Sequence, residues 1–123
     1  MKVTVNVTES FKRGAKPPLK KYPSIGKDLV NLEKELIINP KLGTNLGNNC
    51  FKIRLKIASK GKGMSVGARI ISLVETDVMG AVEYRGKETI VNLIYIYDKS
   101  ELETISNKEL KDLVVEFFND KKE

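Results

Sequence analysis

Residues Cys50 to Ile57 read CFKIRLKI, and apolar and basic side chains alternate strictly along them. Phe51, Ile53, Leu55 and Ile57 share one parity, and Lys52, Arg54 and Lys56 share the other. A strand points successive side chains to opposite faces, so the pattern predicts a β-strand with four apolar groups on its buried face and three cations on the other. The cations stand roughly 7 Å apart, two strand residues each, a row that can follow a chain of phosphates. One buried and one charged face calls for a sheet with helices packed against it.

The flanking sequence supplies both. Lys2 to Thr8 alternates Val3, Val5 and Val7 with Thr4, Asn6 and Thr8, which predicts a first strand. In Phe11 to Lys21 the helical spacing of Phe11, Ala15 and Leu19 conflicts with Gly14, Pro17 and Pro18, so a short or broken helix is expected, with Lys12, Arg13, Lys16, Lys20 and Lys21 exposed. Ser24 to Asn39 reads as a helix capped by Ser24, with Ile25, Leu29, Leu32, Leu36 and Ile37 as its apolar stripe and Asn39-Pro40 as its stop. Gly43 to Asn49 reads as a turn-rich loop. Beyond the opening strand, Ser59 to Gly67 (SKGKGMSVG) reads as a basic glycine-rich loop without nucleotide-fingerprint spacing.

Ala68 to Val74 and Thr89 to Tyr97 carry apolar residues on both parities, as central strands buried on both faces do. Between them, Val82 to Tyr84 is a candidate short strand. Ser106 with Glu109 forms a capping-box pattern that starts a helix to Phe118, with Leu110, Leu113, Val114, Phe117 and Phe118 as its buried stripe. The expected fold is α+β: one domain over residues 1–123, with a small, mainly antiparallel sheet of about four strands, two N-terminal helical segments and a C-terminal helix.

Charge is concentrated in this frame. The chain has 22 Lys+Arg and 16 Asp+Glu. From Cys50 to Arg69 stand six bases (Lys52, Arg54, Lys56, Lys60, Lys62, Arg69) and no acid, and the remainder holds 16 of each. The whole net charge of +6 therefore comes from one strand, one loop and the start of the next strand, a field that attracts polyanions.

Composition narrows the chemistry. Hydrophobic content of 41% and charged content of 31% argue against global disorder. The absence of histidine removes imidazole acid–base chemistry, Ser-His-Asp and Cys-His pairs and histidine-ligated zinc. The single cysteine, Cys50, permits neither an internal disulfide nor a thiolate metal site, and its place at a strand start reads as structural. With no tryptophan, any base stacking uses Tyr or Phe. No apolar run approaches the ~20 residues of a membrane span, and no signal segment is evident, so a cytoplasmic protein with no membrane partner is expected.

Taken in order, CFKIRL, a basic loop, GARII, an apolar strand ending IYDKSE and a capped terminal helix resemble the RelE/ParE-type toxins of bacterial type II toxin–antitoxin modules, RelE branch. The upstream FKR…LKKYPS and NPKLGTNLGNNC fit the same pattern, and the likeness runs from about Val3 to Phe118. The resemblance implies a RelE-like fold, a metal-independent endoribonuclease without cofactor that cuts mRNA on the ribosome, and a cognate antitoxin as partner. By position it implies site roles for Lys52 and Arg54, for Arg69 and for Lys99. Two departures concern the same region: Ser100 stands where the family has an arginine, and no tyrosine lies between Asp98 and Phe118. Tyr97 is the nearest phenol.

RNA brings its own nucleophile, the 2′-hydroxyl. Cleavage then requires a base, positive charge on the phosphorane-like transition state and an acid for the leaving 5′-oxygen. The expected roles are Lys52 as base, Arg54 and Arg69 as charge stabilisers, and Tyr97 or Lys99 as acid or stacking group. Lys56, Lys60 and Lys62 are expected to bind RNA electrostatically. A metal at Asp98, Glu101 and Glu103 is the weaker reading of those acids; they fit better before a helix N-terminus, with Asp98 paired to a nearby base. A ParE-like toxin that binds DNA gyrase and a non-catalytic RNA-binding domain are the alternatives.

Overall fold

The alternation at Cys50–Leu55 folds as a strand, second from one edge of a five-stranded sheet. The computed structural model describes residues 2–57, 67–77, 88–98 and 105–121. Along them run β1 (Lys2–Val7), α1 (Glu9–Lys21), α2 (Ile25–Ile38), β2 (Thr44–Gly47), β3 (Cys50–Leu55), β4 (Ala68–Asp77), β5 (Glu88–Asp98) and α3 (Asn107–Lys121). The strands form one sheet in the order β1-β5-β4-β3-β2. The pairs β2–β3, β3–β4 and β4–β5 are antiparallel, and β1 lies parallel to β5. This is the expected α+β class, with five strands among the described residues instead of about four.

The additional strand is β2, in the segment read as a loop. Asn48 and Asn49 both have positive φ (55° and 62°), the signs that a type I′ turn requires, and they fold Thr44–Gly47 back on β3. Gly43 allows that return. Its φ is +107°, and a Cβ there would stand 2.4 Å from the Lys52 carbonyl oxygen, so any side chain would collide with β3.

Each face of the sheet has its own helices. Phe51, Ile53, Leu55, Ile70, Val91, Leu93 and Ile96 pack with Phe11 and Ala15 of α1 and with Ile25, Leu32 and Leu36 of α2. Cys50, Ile71, Leu73, Ile94 and Tyr97 pack with Leu110 on the side of α3. The two central strands are therefore covered on both sides, as read. A β-bulge in β5 decides which residues go where. Ile71 faces Tyr95 while Ser72 faces Leu93, so Ile94 is an extra residue. Ile94 and Tyr95 consequently both belong to the α3 side, and Leu93 and Ile96 to the other.

Local expectations met three corrections. The segment expected to be a broken helix is continuous from Glu9 to Lys21, with Pro17 and Pro18 inside it. Two interior prolines each remove a backbone hydrogen bond. Against that cost, Thr8 accepts a capping bond from the Phe11 N–H at 3.2 Å, and Phe11, Ala15 and Pro18 are buried. Gly14 lets the helix lie close to β5, where a Cβ would meet the Ile96 carbonyl at 3.4 Å. At α2, Ser24 does not cap through its side chain; its hydroxyl donates to Asp28 Oδ2 at 2.7 Å, and its backbone is already helical. Two stripe residues also point outward: Ile37 is 49% exposed and Phe118 42%. The Ser106–Glu109 box forms as read, with Glu109 N–H donating to Ser106 Oγ at 3.1 Å and Ser106 N–H to Glu109 Oε1 at 3.3 Å.

Candidate functional site

Strand register brings three of the sequence-predicted residues into one line. Arg54 faces Arg69 across β3–β4, and Arg69 faces Tyr97 across β4–β5. Directly opposed residues of antiparallel strands have Cβ atoms about 5 Å apart, so the three form a row across the sheet on its α3 side. Arg54 is exposed, Arg69 is 7% exposed and Tyr97 6%, so the row runs from solvent into the protein. The adjacent row is Lys52, Ile71 and Tyr95. Lys52 is half-buried there and shares the face of Arg54, as the opening alternation requires.

Both buried members of the first row lack the partners that burial normally demands. Among the described residues no carboxylate lies within ion-pair distance of Arg69, whose Nη1 donates to the Ala68 carbonyl at a long 3.4 Å. The Tyr97 hydroxyl is buried with no hydrogen-bond partner among the same residues. Burial holds its pKa above the ordinary value of 10.0; Arg69 opposes the shift, and Tyr95 and Glu109 reinforce it. The phenol therefore keeps its proton at neutral pH and serves as a donor. Gly67 packs against the guanidinium, where a Cβ would be 3.7 Å from Arg69 Nη1.

Tyr95 was not singled out by sequence reasoning. It is half-buried, and its ring lies 5.8 Å from that of Tyr97, tilted by 35°. The simple parity of TIVNLIYIY hid its side of the sheet, because the bulge at Ile94 breaks the alternation one residue before it.

The back of the site is tied down by Asp98. It is 4% exposed, accepts from the Tyr22 hydroxyl at 3.0 Å and pairs with Lys21 Nζ at 3.4 Å. The expected pairing of Asp98 with a nearby base is thus present. Lys21 is held above its ordinary value by Tyr22 first and by Asp98 next. Lys56 is exposed just beyond the end of β3. Lys60, Lys62, Lys99, Ser100, Glu101, Glu103 and the candidate strand Val82 to Tyr84 lie outside the described residues. Cys50 is fully buried, and burial pushes its thiol from 9.0 to about 11, as fits an unreactive structural residue.

At the opposite end of the same face the buried Asn92 amide is fully matched. Asn92, 1% exposed, donates to Glu75 Oε1 at 2.9 Å and to the Leu73 carbonyl at 3.1 Å, and accepts from Asn6 Nδ2 at 2.8 Å. These residues floor a groove of about 770 Å³ beneath α3, with Ile90, Ile94, Leu113 and Phe117 on its walls.

No helix among the described residues is long and apolar enough to cross a membrane. No protein-family model and no curated protein sequence matches the chain.

Proposed function

We propose that this protein is the toxin of a toxin–antitoxin module and acts as an mRNA endoribonuclease at the Arg54–Arg69–Tyr97 row. One observation carries the reading: Arg69 is a buried cation with no acid beside it among the described residues, aligned between a solvent-facing arginine and a buried phenol. Burying an unpaired charge costs several kcal/mol. A phosphate seated on the row would offset that cost by giving Arg69 its counter-charge and the Tyr97 hydroxyl its acceptor.

The chemistry follows from the same residues. Lys52 takes the proton of the RNA 2′-hydroxyl, whose oxygen then attacks the neighbouring phosphorus. Arg54 and Arg69 hold the charge that develops on the non-bridging oxygens. The phosphorus–5′-oxygen bond breaks, leaving a 2′,3′-cyclic phosphate. Tyr97 protonates the departing 5′-oxygen, a role open to a phenol that is protonated at neutral pH. Tyr95 offers a ring on which a flanking base stacks.

The test is induced expression with mapping of mRNA 5′ ends. The expected result is growth arrest with cut messages, and loss of cutting by about 10²–10³-fold in Arg69→Ala. Wild-type cutting in both Lys52→Ala and Arg69→Ala would remove the site assignment. Arrest with intact mRNA would instead point to a gyrase-binding toxin, and RNA binding without cutting or arrest to a plain binding domain.

A further inference from the structure

The exposed side of α1 carries a second row of cations that the proposed cleavage chemistry does not use. Lys12, Lys16 and Lys20 recur every four residues and are all exposed. They stand about 6 Å apart along one helix face, close to the separation of successive phosphates in an RNA strand. Between Glu9 and Lys21 the helix has five bases (with Arg13 and Lys21) and one acid. Three of the five are already engaged: Lys12 with Glu9 at 3.4 Å, Arg13 with Glu116 at 3.8 Å and Lys21 with Asp98 at 3.4 Å. Among the described residues Lys16 and Lys20 have no such partner.

The placement of this row matters more than its charge. α1 packs on the face of the sheet opposite the Arg54–Arg69–Tyr97 row. Its C-terminal end is nevertheless anchored at the same end of the sheet, because Lys21 and Tyr22 both grip Asp98. Asp98 follows Tyr97 and faces Ala68, the neighbour of Arg69. Arg54, Lys56, Arg69, Lys20 and Lys21 thus crowd one rim, from which the helical row leads away on the far side.

We infer that Lys16 and Lys20, with Lys12 behind them, form a track for the RNA backbone outside the cleavage site, reached by a strand that passes over this rim. The inference rests on reading the Arg54–Arg69–Tyr97 row as an RNA site and adds the path taken by flanking nucleotides. Such contacts are sequence-independent and salt-dependent, and only RNA long enough to leave the site can make them.

Binding of 2′-O-methyl RNA, which lacks the nucleophilic hydroxyl, tests this by length. Oligomers of about 4 and about 16 nucleotides bracket the site sizes of single-strand grooves. Lys16→Gln/Lys20→Gln should weaken the longer RNA about tenfold and leave the shorter unchanged, with the slope of log K against log salt falling by about 0.7 for each cation removed. Lys34→Gln/Lys111→Gln, an equal charge loss on exposed positions of α2 and α3, should leave the length dependence intact. Equal loss in the two double variants, or none in the first, overturns the track. Arg54→Ala separates the two readings: it should weaken both RNAs. If it weakens neither while the α1 variant still weakens the longer one, the cleavage site is misassigned and the track stands.

Discussion

The α3-facing side of the sheet has two polar ends that solve burial in opposite ways. At one end Asn92 gives both amide protons and its oxygen to protein partners, and joins β1, β5 and β4 through Asn6 and Glu75. At the other, Arg69 and Tyr97 are about as deeply buried, yet the guanidinium has no acid and the hydroxyl no acceptor among the described residues. A satisfied buried network holds a structure together. An unsatisfied one keeps hydrogen-bonding capacity for something outside the chain. On the proposed reading, the asparagine end serves stability and the arginine end serves binding.

Replacing Asn92 should produce the largest change in folding. Asn92→Ala removes the bonds to Asn6, Glu75 and the Leu73 carbonyl together, and should cost about 3 kcal/mol in urea unfolding while the folded fraction keeps the proposed RNA binding. A loss of RNA affinity at unchanged stability would erase the distinction between the ends. Tyr97→Phe makes the opposite trade. Removing an unpartnered buried hydroxyl should raise stability by about 1 kcal/mol, while cleavage falls about 10²-fold with the loss of the acid. A drop in stability would mean that the free protein already satisfies this hydroxyl.

The smallest effect lies at Cys50, which stands in the same cross-strand row as Asn92. Its folded-state pKa is raised from 9.0 to about 11, so the stability linked to its protonated form is full below pH 9.0 and drains away as pH rises through about 11. Cys50→Ala should cost about 1 kcal/mol at neutral pH through the small cavity it leaves, and should flatten the decline of stability at alkaline pH. An unchanged alkaline slope in the variant would transfer that titration to other groups, Tyr97 first among them.

Much of this architecture is legible before folding because period-2 and helical patterns are strong signals. The alternation from Phe51 to Leu55 fixes a strand and its faces, and the Ser106–Glu109 box marks the start of α3. The misreadings have local causes. Pro17 and Pro18 argue against a helix on backbone grounds, but burial of Phe11, Ala15 and Pro18 outweighs them. Thr44 to Gly47 is too short and too rich in turn formers to announce a strand; positive φ at Asn48 and Asn49 makes it one. Ile37 and Phe118 fit apolar stripes on paper and stand outside them because spacing does not set the width of a buried face. At the site, the residue types were readable and their alignment was not, since cross-strand register is a long-range property. The Asn92 network left no sequence signal at all: one asparagine in an apolar run looks like any interruption of it.

The extra residue in β5 has a consequence for how such a chain can change. Counting from Val91, strict alternation would place Tyr97 beside Val91 and Leu93 against the two N-terminal helices, and would send Asp98 to the side it now avoids. The bulge at Ile94 shifts the phase by one. Everything downstream of it inherits its side of the sheet from that single insertion, including the phenol on one face and the carboxylate latch on the other. Deleting Ile94 would therefore only straighten the strand and leave Tyr97 and Asp98 on their present faces, whereas deleting Ile96 with the bulge kept would act as a frameshift in three dimensions, sending the phenol and the carboxylate each to the other's side.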